Sequence, residues 1–175
     1  MKKNILLLST ILIATAVTPI ALQAKDVNVT KNKNNQSLKI GDKLNLNSAT
    51  EFTQTNDGIY YKTIKSGSGK PACKGETLTV HYTGYLLVRK MDNKRNNEYF
   101  VGSKFDSSVD RNQPFKFNLG MRQVISGWDK MLATMKKGEI RIVVLPSKEA
   151  YGSRGTGSIP ADSSLIFEIE FISAD

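Results

Sequence analysis

The feature that most narrows what this chain can fold into is a period of two. Over residues 77–87, Leu78, Val80 and Tyr82 fall on one side and Thr79, His81 and Thr83 on the other. Successive side chains of a strand point to opposite faces, so such a segment suits a sheet with one buried face. Alternation returns in Phe115-Lys116-Phe117-Asn118-Leu119, over residues 140–145 before Pro146, and over 165–172, where Phe167, Ile169 and Phe171 share a side. Residues 59–64 are also β-rich and run into the turn cluster Ser66-Gly67-Ser68-Gly69. One helical pattern interrupts the strands. Trp128, Leu132 and Met135 lie on one face, Ser126 and Asp129 resemble a capping box, and Gly138 is the expected stop. These segments predict an α+β domain, an antiparallel sheet with one helix packed on it.

The N-terminus reads differently. Met1-Lys2-Lys3 is followed by an apolar run over residues 5–17 and then by Ala21-Leu22-Gln23-Ala24. Charge, apolar stretch and small residue, in that order, are the pattern of a secretory signal, and the run is short for a spanning helix. Residues 1–24 are therefore expected to be a signal peptide, with the mature chain starting at Lys25; an uncleaved N-terminal anchor is the alternative. Export to the periplasm is the leading expectation and secretion the second. Residues 25–56 are rich in Asn, Lys, Thr and Ser with thinly scattered apolar residues, and are expected to form a polar, largely flexible arm. A helical pattern through Leu38, Ile40, Leu44 and Leu46 is too short to count. That leaves residues 57–175 as the folded domain.

Much chemistry is excluded by what the chain lacks. One cysteine, Cys73, permits no internal disulfide and no cysteine-based zinc site. One histidine, His81, lies inside a strand pattern, which argues against a His-rich metal site and against a Ser-His-Asp triad. Gly-Ser-Arg-Gly-Thr-Gly at 152–157 matches neither nucleotide-binding glycine pattern, and reads as a flexible polar loop. No cofactor and no metal are expected. The formal charge of +9 comes from scattered lysines and arginines, which fits a solvated surface better than a nucleic-acid face. Residues 88–104, with Arg89, Lys90, Lys94, Arg95 and Lys104 around Asn96-Asn97, read as an inserted basic loop.

What remains is a series of short aromatic motifs: His81-Tyr82-Thr83-Gly84, Lys104-Phe105-Asp106-Ser107-Ser108, Pro114-Phe115-Lys116-Phe117, Val124-Ile125-Ser126-Gly127-Trp128 and Ala150-Tyr151-Gly152. Each is weak alone. In this order they resemble the FKBP-type peptidyl-prolyl cis-trans isomerases, the immunophilin family that binds the macrolide FK506. The likeness covers residues 58–172, roughly two thirds of the chain, and implies a twisted antiparallel sheet wrapped round one short α-helix. It also implies a pocket lined by Tyr82, Phe105, Asp106, Phe115, Val124, Ile125, Trp128, Tyr151, Ile159 and Phe167. In that pocket Trp128 is the floor, and Phe105, Phe115 and Phe167 are walls gripping a proline ring. The Ile125 N–H and the Tyr151 hydroxyl hold substrate carbonyls, and Arg111 holds Asp106. The implied ligands are proline-containing polypeptides and, as inhibitors, FK506-like macrolides.

Read without the resemblance, several of these residues are bland. Phe117, Phe171 and Leu132 are expected as plain core, Tyr60 and Tyr61 as packing, and His81 as structural. Asp106 alone reads as a turn residue bonding its own backbone. The polar arm is too short for the helical dimerisation arm of the macrophage infectivity potentiator group, so a monomer is expected. The sequence thus predicts a prolyl isomerase acting on exported proteins. Its alternative is a non-catalytic chaperone or binding module using the same pocket and the basic 88–104 segment.

Overall fold

The computed structural model describes residues 37–175. The expected signal peptide and residues 25–36 lie outside the described residues. Among the described residues, ten strands and one α-helix follow one another: β1 Lys43–Leu44, β2 Thr53–Gln54, β3 Tyr60–Lys65, β4 Ser68–Pro71, β5 Thr77–Met91, β6 Asn97–Ser107, β7 Phe115–Asn118, α1 Ser126–Leu132, β8 Lys136–Lys137, β9 Ile140–Leu145 and β10 Leu165–Ala174. Eight of the strands form one antiparallel sheet in the order β1-β6-β5-β10-β9-β3-β2, with β7 paired to the first part of β5; β4 and β8 form a small ribbon. This is the expected α+β architecture, a curled antiparallel sheet and a single short helix.

The alternation in β5 works as the sequence suggests. Leu78 and Val80 are fully buried against Trp128, Met131 and Leu132 of α1, together with Val143, Leu165, Ile169 and Phe171. The helix is able to sit this close because residue 127 is glycine. A Cβ there would stand 2.5 Å from Leu145 Cδ2. The helix starts differently from expectation. Ile125, not Ser126, is the N-cap residue, and no side chain caps it. Ser126 instead donates its hydroxyl to Glu149, and the Asp129 carboxylate accepts the Gly120 N–H. The helix also ends at Leu132, before Met135. Gly138, at φ +79°, turns the chain from β8 into β9.

Two expectations are corrected by the backbone. Residues 88–104 do not form a loop, because β5 and β6 pair right through them, from Thr83↔Ser107 to Met91↔Asn97. Asp92 closes the hairpin by accepting the N–H groups of Lys94 and Asn96, with Arg95 in the left-handed region at φ +64°. The other correction concerns the arm. Its described part, residues 37–56, packs on the sheet: β1 pairs with β6, β2 with β3, and Leu38, Leu44, Leu46 and Phe52 are all buried. They cover Tyr85, Val101, Ile142, Val144 and Ile166 on the face away from α1. Leu38 is fastened at both polar ends, its N–H donating to Glu168 and its carbonyl accepting the Tyr85 hydroxyl. Averaging composition over the stretch hides these four anchors, each worth about 1.5–3 kcal/mol when fully buried. The glycine-rich loop is also structured, with a 3-10 turn at Gly152–Arg154 and a bridge between Thr156 and Ile159.

Removing residues up to 56 should therefore destabilise the domain strongly, and Phe52→Ala alone should cost about 3–5 kcal/mol. Urea unfolding of the intact and altered chains measures this. An unchanged midpoint for Phe52→Ala would show that the second layer contributes nothing.

Candidate active site

Strands β5, β6, β7 and β10, the loop before α1, and α1 itself each send side chains to one cavity of about 150 Å³. Tyr82 comes from β5, Phe105 and Asp106 from β6, Phe115 from the start of β7, and Phe167 from β10. Gln123, Val124 and Ile125 form the rim before the helix, Trp128 lies in its first turn, and Tyr151 follows the 3-10 turn Ser147–Glu149. Their convergence depends on Gly84. A Cβ at that position would lie 2.5 Å from Phe105 Cζ and 3.0 Å from Phe167 Cε1, so only a bare backbone leaves room for both rings.

The rings pack edge to face. Trp128 meets Tyr82 at 5.0 Å, Phe167 at 5.3 Å and Phe115 at 6.1 Å between centroids, with interplanar angles of 81°, 83° and 78°. Phe105 stands against Phe167 at 5.7 Å. Such arrangements align the positive edge of one ring with the negative face of another and hold each ring's direction. Trp128 and Phe167 are buried, whereas Phe115 and Tyr151 are 37% and 38% exposed at the mouth. The Trp128 Nε1–H is buried and has no acceptor among the described residues.

One charged group enters this apolar setting, and it is tied down. Asp106 accepts hydrogen bonds from the Tyr82 hydroxyl, the Arg111 guanidinium and the Ser107 N–H. Burial pushes its carboxyl up, but the hydrogen bonds from Tyr82 and Arg111 and the guanidinium charge outweigh this and hold it below the usual carboxylate range. The tie contributes to stability above the unfolded carboxyl range, about pH 4, and is lost as pH falls through the lowered folded value. Burial raises Tyr82, with Asp106 adding to the shift and Arg111 opposing it. Burial also raises Tyr151, reinforced by the Asp106 charge. Both hydroxyls therefore keep their protons across the neutral range and remain donors.

Nine of the residues named from sequence line the cavity together, and two do not. Arg111 stands outside and acts on Asp106 and Tyr82. Ile159 is buried in the core behind the loop. Asp106 makes the local backbone bond its sequence suggested, to the Ser107 N–H, but it does so from within β6 and not from a turn. Sequence reasoning missed Gln123, which lines the cavity and accepts the Asn118 N–H. It missed Glu149 as well. That buried carboxylate accepts Ser126 Oγ at 2.7 Å and Lys130 Nζ at 2.9 Å, fastening the turn that carries Tyr151 to the start of α1. Burial pushes Glu149 up, yet its bonds from Lys130 and Ser126 leave it below the usual range. No local motif marks either residue; Gln123 bonds to nearby Asn118, and Glu149 acts across the fold.

Residues 68–172 match the family model described as FKBP-type peptidyl-prolyl cis-trans isomerase. The chain belongs to this family. An "FK506-binding protein" of Neisseria meningitidis serogroup B is 43% identical over 116 residues, covering 66% of this chain and 94% of that one. "FK506-binding protein 2B" of Rhizopus delemar is 40% identical over 121 residues, 69% of this chain and 52% of the relative. The crystal structure of FkpA from Escherichia coli superposes with a TM-score of 0.61 at 29% identity, over 73% of this chain. This chain spans about half the length of that structure. As an FKBP-type protein it is a peptidyl-prolyl cis-trans isomerase, and the family binds proline-containing substrates and FK506-like macrolides.

Gly84→Ala should push Phe105 and Phe167 out of position while leaving the fold in place, because the nearest clash is with the far end of the Phe105 ring. We expect kcat/KM toward an X-Pro peptide to fall several-fold with little change in Tm. Full activity in Gly84→Ala would mean that the two rings need not occupy these positions.

Proposed function

We propose that this chain turns X-Pro bonds by taking the proline ring into the aromatic cavity and favouring the twisted amide there. The carrying observation is the cavity itself: six aromatic side chains converge on a small space whose only charged lining group, among the described residues, is an immobilised carboxylate. Rotation about a planar amide faces a barrier of about 18–20 kcal/mol because the C–N bond is partly double. Twisting removes that resonance and much of the carbonyl dipole. A planar, strongly polar amide loses more on leaving water than a twisted one does, so an apolar cavity stabilises the twisted form by difference.

In this reading Trp128 is the floor, and Phe105, Phe115 and Phe167 are the walls that hold the ring. The Tyr151 hydroxyl and the Ile125 N–H hold the carbonyls on either side, and Val124 closes the rim. Asp106, kept in place by Tyr82 and Arg111, presents a fixed negative group where the carbonyl carbon passes during rotation. No proton needs to move. The reading extends to exported clients and a mature chain from Lys25, supported by the charged, apolar and small-residue succession of residues 1–24. The same cavity takes the ring of an FK506-like macrolide, and the protein acts as a monomer.

A protease-coupled assay of the chain from Lys25 tests this. It should accelerate cis-trans exchange of an X-Pro peptide, with FK506 blocking it. Phe105→Ala and Trp128→Ala should each lower kcat/KM by tenfold or more, about 1.4 kcal/mol of transition-state stabilisation. The parent rate should be nearly flat between about pH 5 and pH 8, because Asp106 lies below that window and the tyrosines above it. Asp106→Asn should lower the rate without introducing a pH dependence. A bell-shaped parent profile abolished by Asp106→Asn would replace the desolvation account with proton transfer. No acceleration at micromolar enzyme would leave only the binding-module reading.

A further inference from the structure

The face of the sheet away from α1 carries a second opening, a cleft of about 410 Å³ that shares no lining residue with the aromatic cavity. Leu46, Tyr60, Tyr99 and Val144 form its floor, and Arg89 and Asp162 stand at its rim. It lies where the sheet is interrupted. β10 starts at Leu165, opposite Leu86, and the Leu87 N–H still reaches back to the Ser164 carbonyl at 2.9 Å. The chain then departs, because Asp162 sits at φ +57° and gives its N–H to Gly152. β5 nevertheless continues to Met91, with its other edge paired to β6.

Backbone groups of a strand alternate in direction with period two, so the N–H and C=O of Arg89 and Met91 point the same way as those of Leu87. No strand stands opposite them among the described residues. We propose that this open edge of β5 and the cleft beside it form a second polypeptide site, which takes an extended acidic segment as an added strand.

Charge selects the occupant. Arg89 forms no ion pair among the described residues, and Lys94 and Arg95 adjoin it at the hairpin tip; Lys90 faces the other way, over the Phe100 ring at 5.3 Å, and Asp162 is the one acidic group lining the cleft. A second copy of this chain would bring its own basic edge against this one, with like charges opposed. An acidic side chain beside Arg89 gains a charge-assisted bond, and an apolar neighbour two residues along reaches the floor of Leu46, Tyr60 and Tyr99. Main-chain bonds supply recognition without proline. The site is thus separate from the isomerase cavity and does not rest on how that cavity works.

The test uses the chain from Lys25 and a proline-free peptide alternating Val and Thr around one Glu. Binding should slow hydrogen exchange of the Arg89 and Met91 amides and shift their NMR signals, leaving Phe105 and Trp128 unmoved. Methylating alternate peptide nitrogens should abolish binding. Arg89→Glu should weaken it about tenfold, the size of one lost charge-assisted contact, and should favour the Lys counterpart of the peptide. Three results would each overturn the proposal: signals moving only in the aromatic cavity, no protection at Arg89, or equal binding of the methylated peptide. If a single-stranded oligonucleotide binds as well as the peptide, the hairpin is instead a basic surface for polyanions.

Discussion

Everything in this domain hangs on the two-sided burial of β9 and β10. Val143, Leu165, Phe167 and Ile169 pack toward α1, while Ile142, Val144 and Ile166 pack toward the N-terminal segment. A strand covered on both faces has no solvent side on which to slip, so its register is strongly specified. That register places Phe167 opposite Gly84 and next to Val143, which puts the ring at the cavity. Residues 37–56 therefore matter to the site without approaching it.

The site joins two kinds of constraint. Ring-on-ring contacts fix the apolar shape, and the bonds among Asp106, Tyr82 and Arg111 fix the polar mouth. Tyr82 belongs to both, since its ring stands against Trp128 while its hydroxyl donates to Asp106. A third tie, through Glu149, sets the turn bearing Tyr151 relative to the helix. The cavity is preorganised by groups that do not themselves need to react, which is what a reaction without bond making or breaking requires.

The concave half of this arrangement was legible in sequence because period-two alternation and a single helical stripe report one buried face directly. The aromatic cavity was legible through ordered motifs. The other half was harder to see. Residues 140–145 alternate only at their start, for Val143-Val144-Leu145 is a continuous apolar run, the mark of a strand covered on both sides. The covering residues, Leu38, Leu44, Leu46 and Phe52, are diluted among polar ones, and no local periodicity reveals what they face. The hairpin extension is hidden for a related reason: its tip projects beyond the neighbouring strands and is charged, so its sequence carries no apolar alternation. Glu149 acts through contacts that only the tertiary structure creates.

The order of strands has a consequence for how the chain is made. β10, the last strand of the sheet in chain order, lies in its middle, between β5 and β9. Residues 37–56 close over strands that are made long after them. Hardly any of the sheet can be completed while β10 is still held by the ribosome. The domain must stay open until β10 emerges and then assemble through contacts distant in sequence, the slow regime of folding. A protein built to hasten one slow step in other chains has, in its own topology, postponed its folding to the last strand.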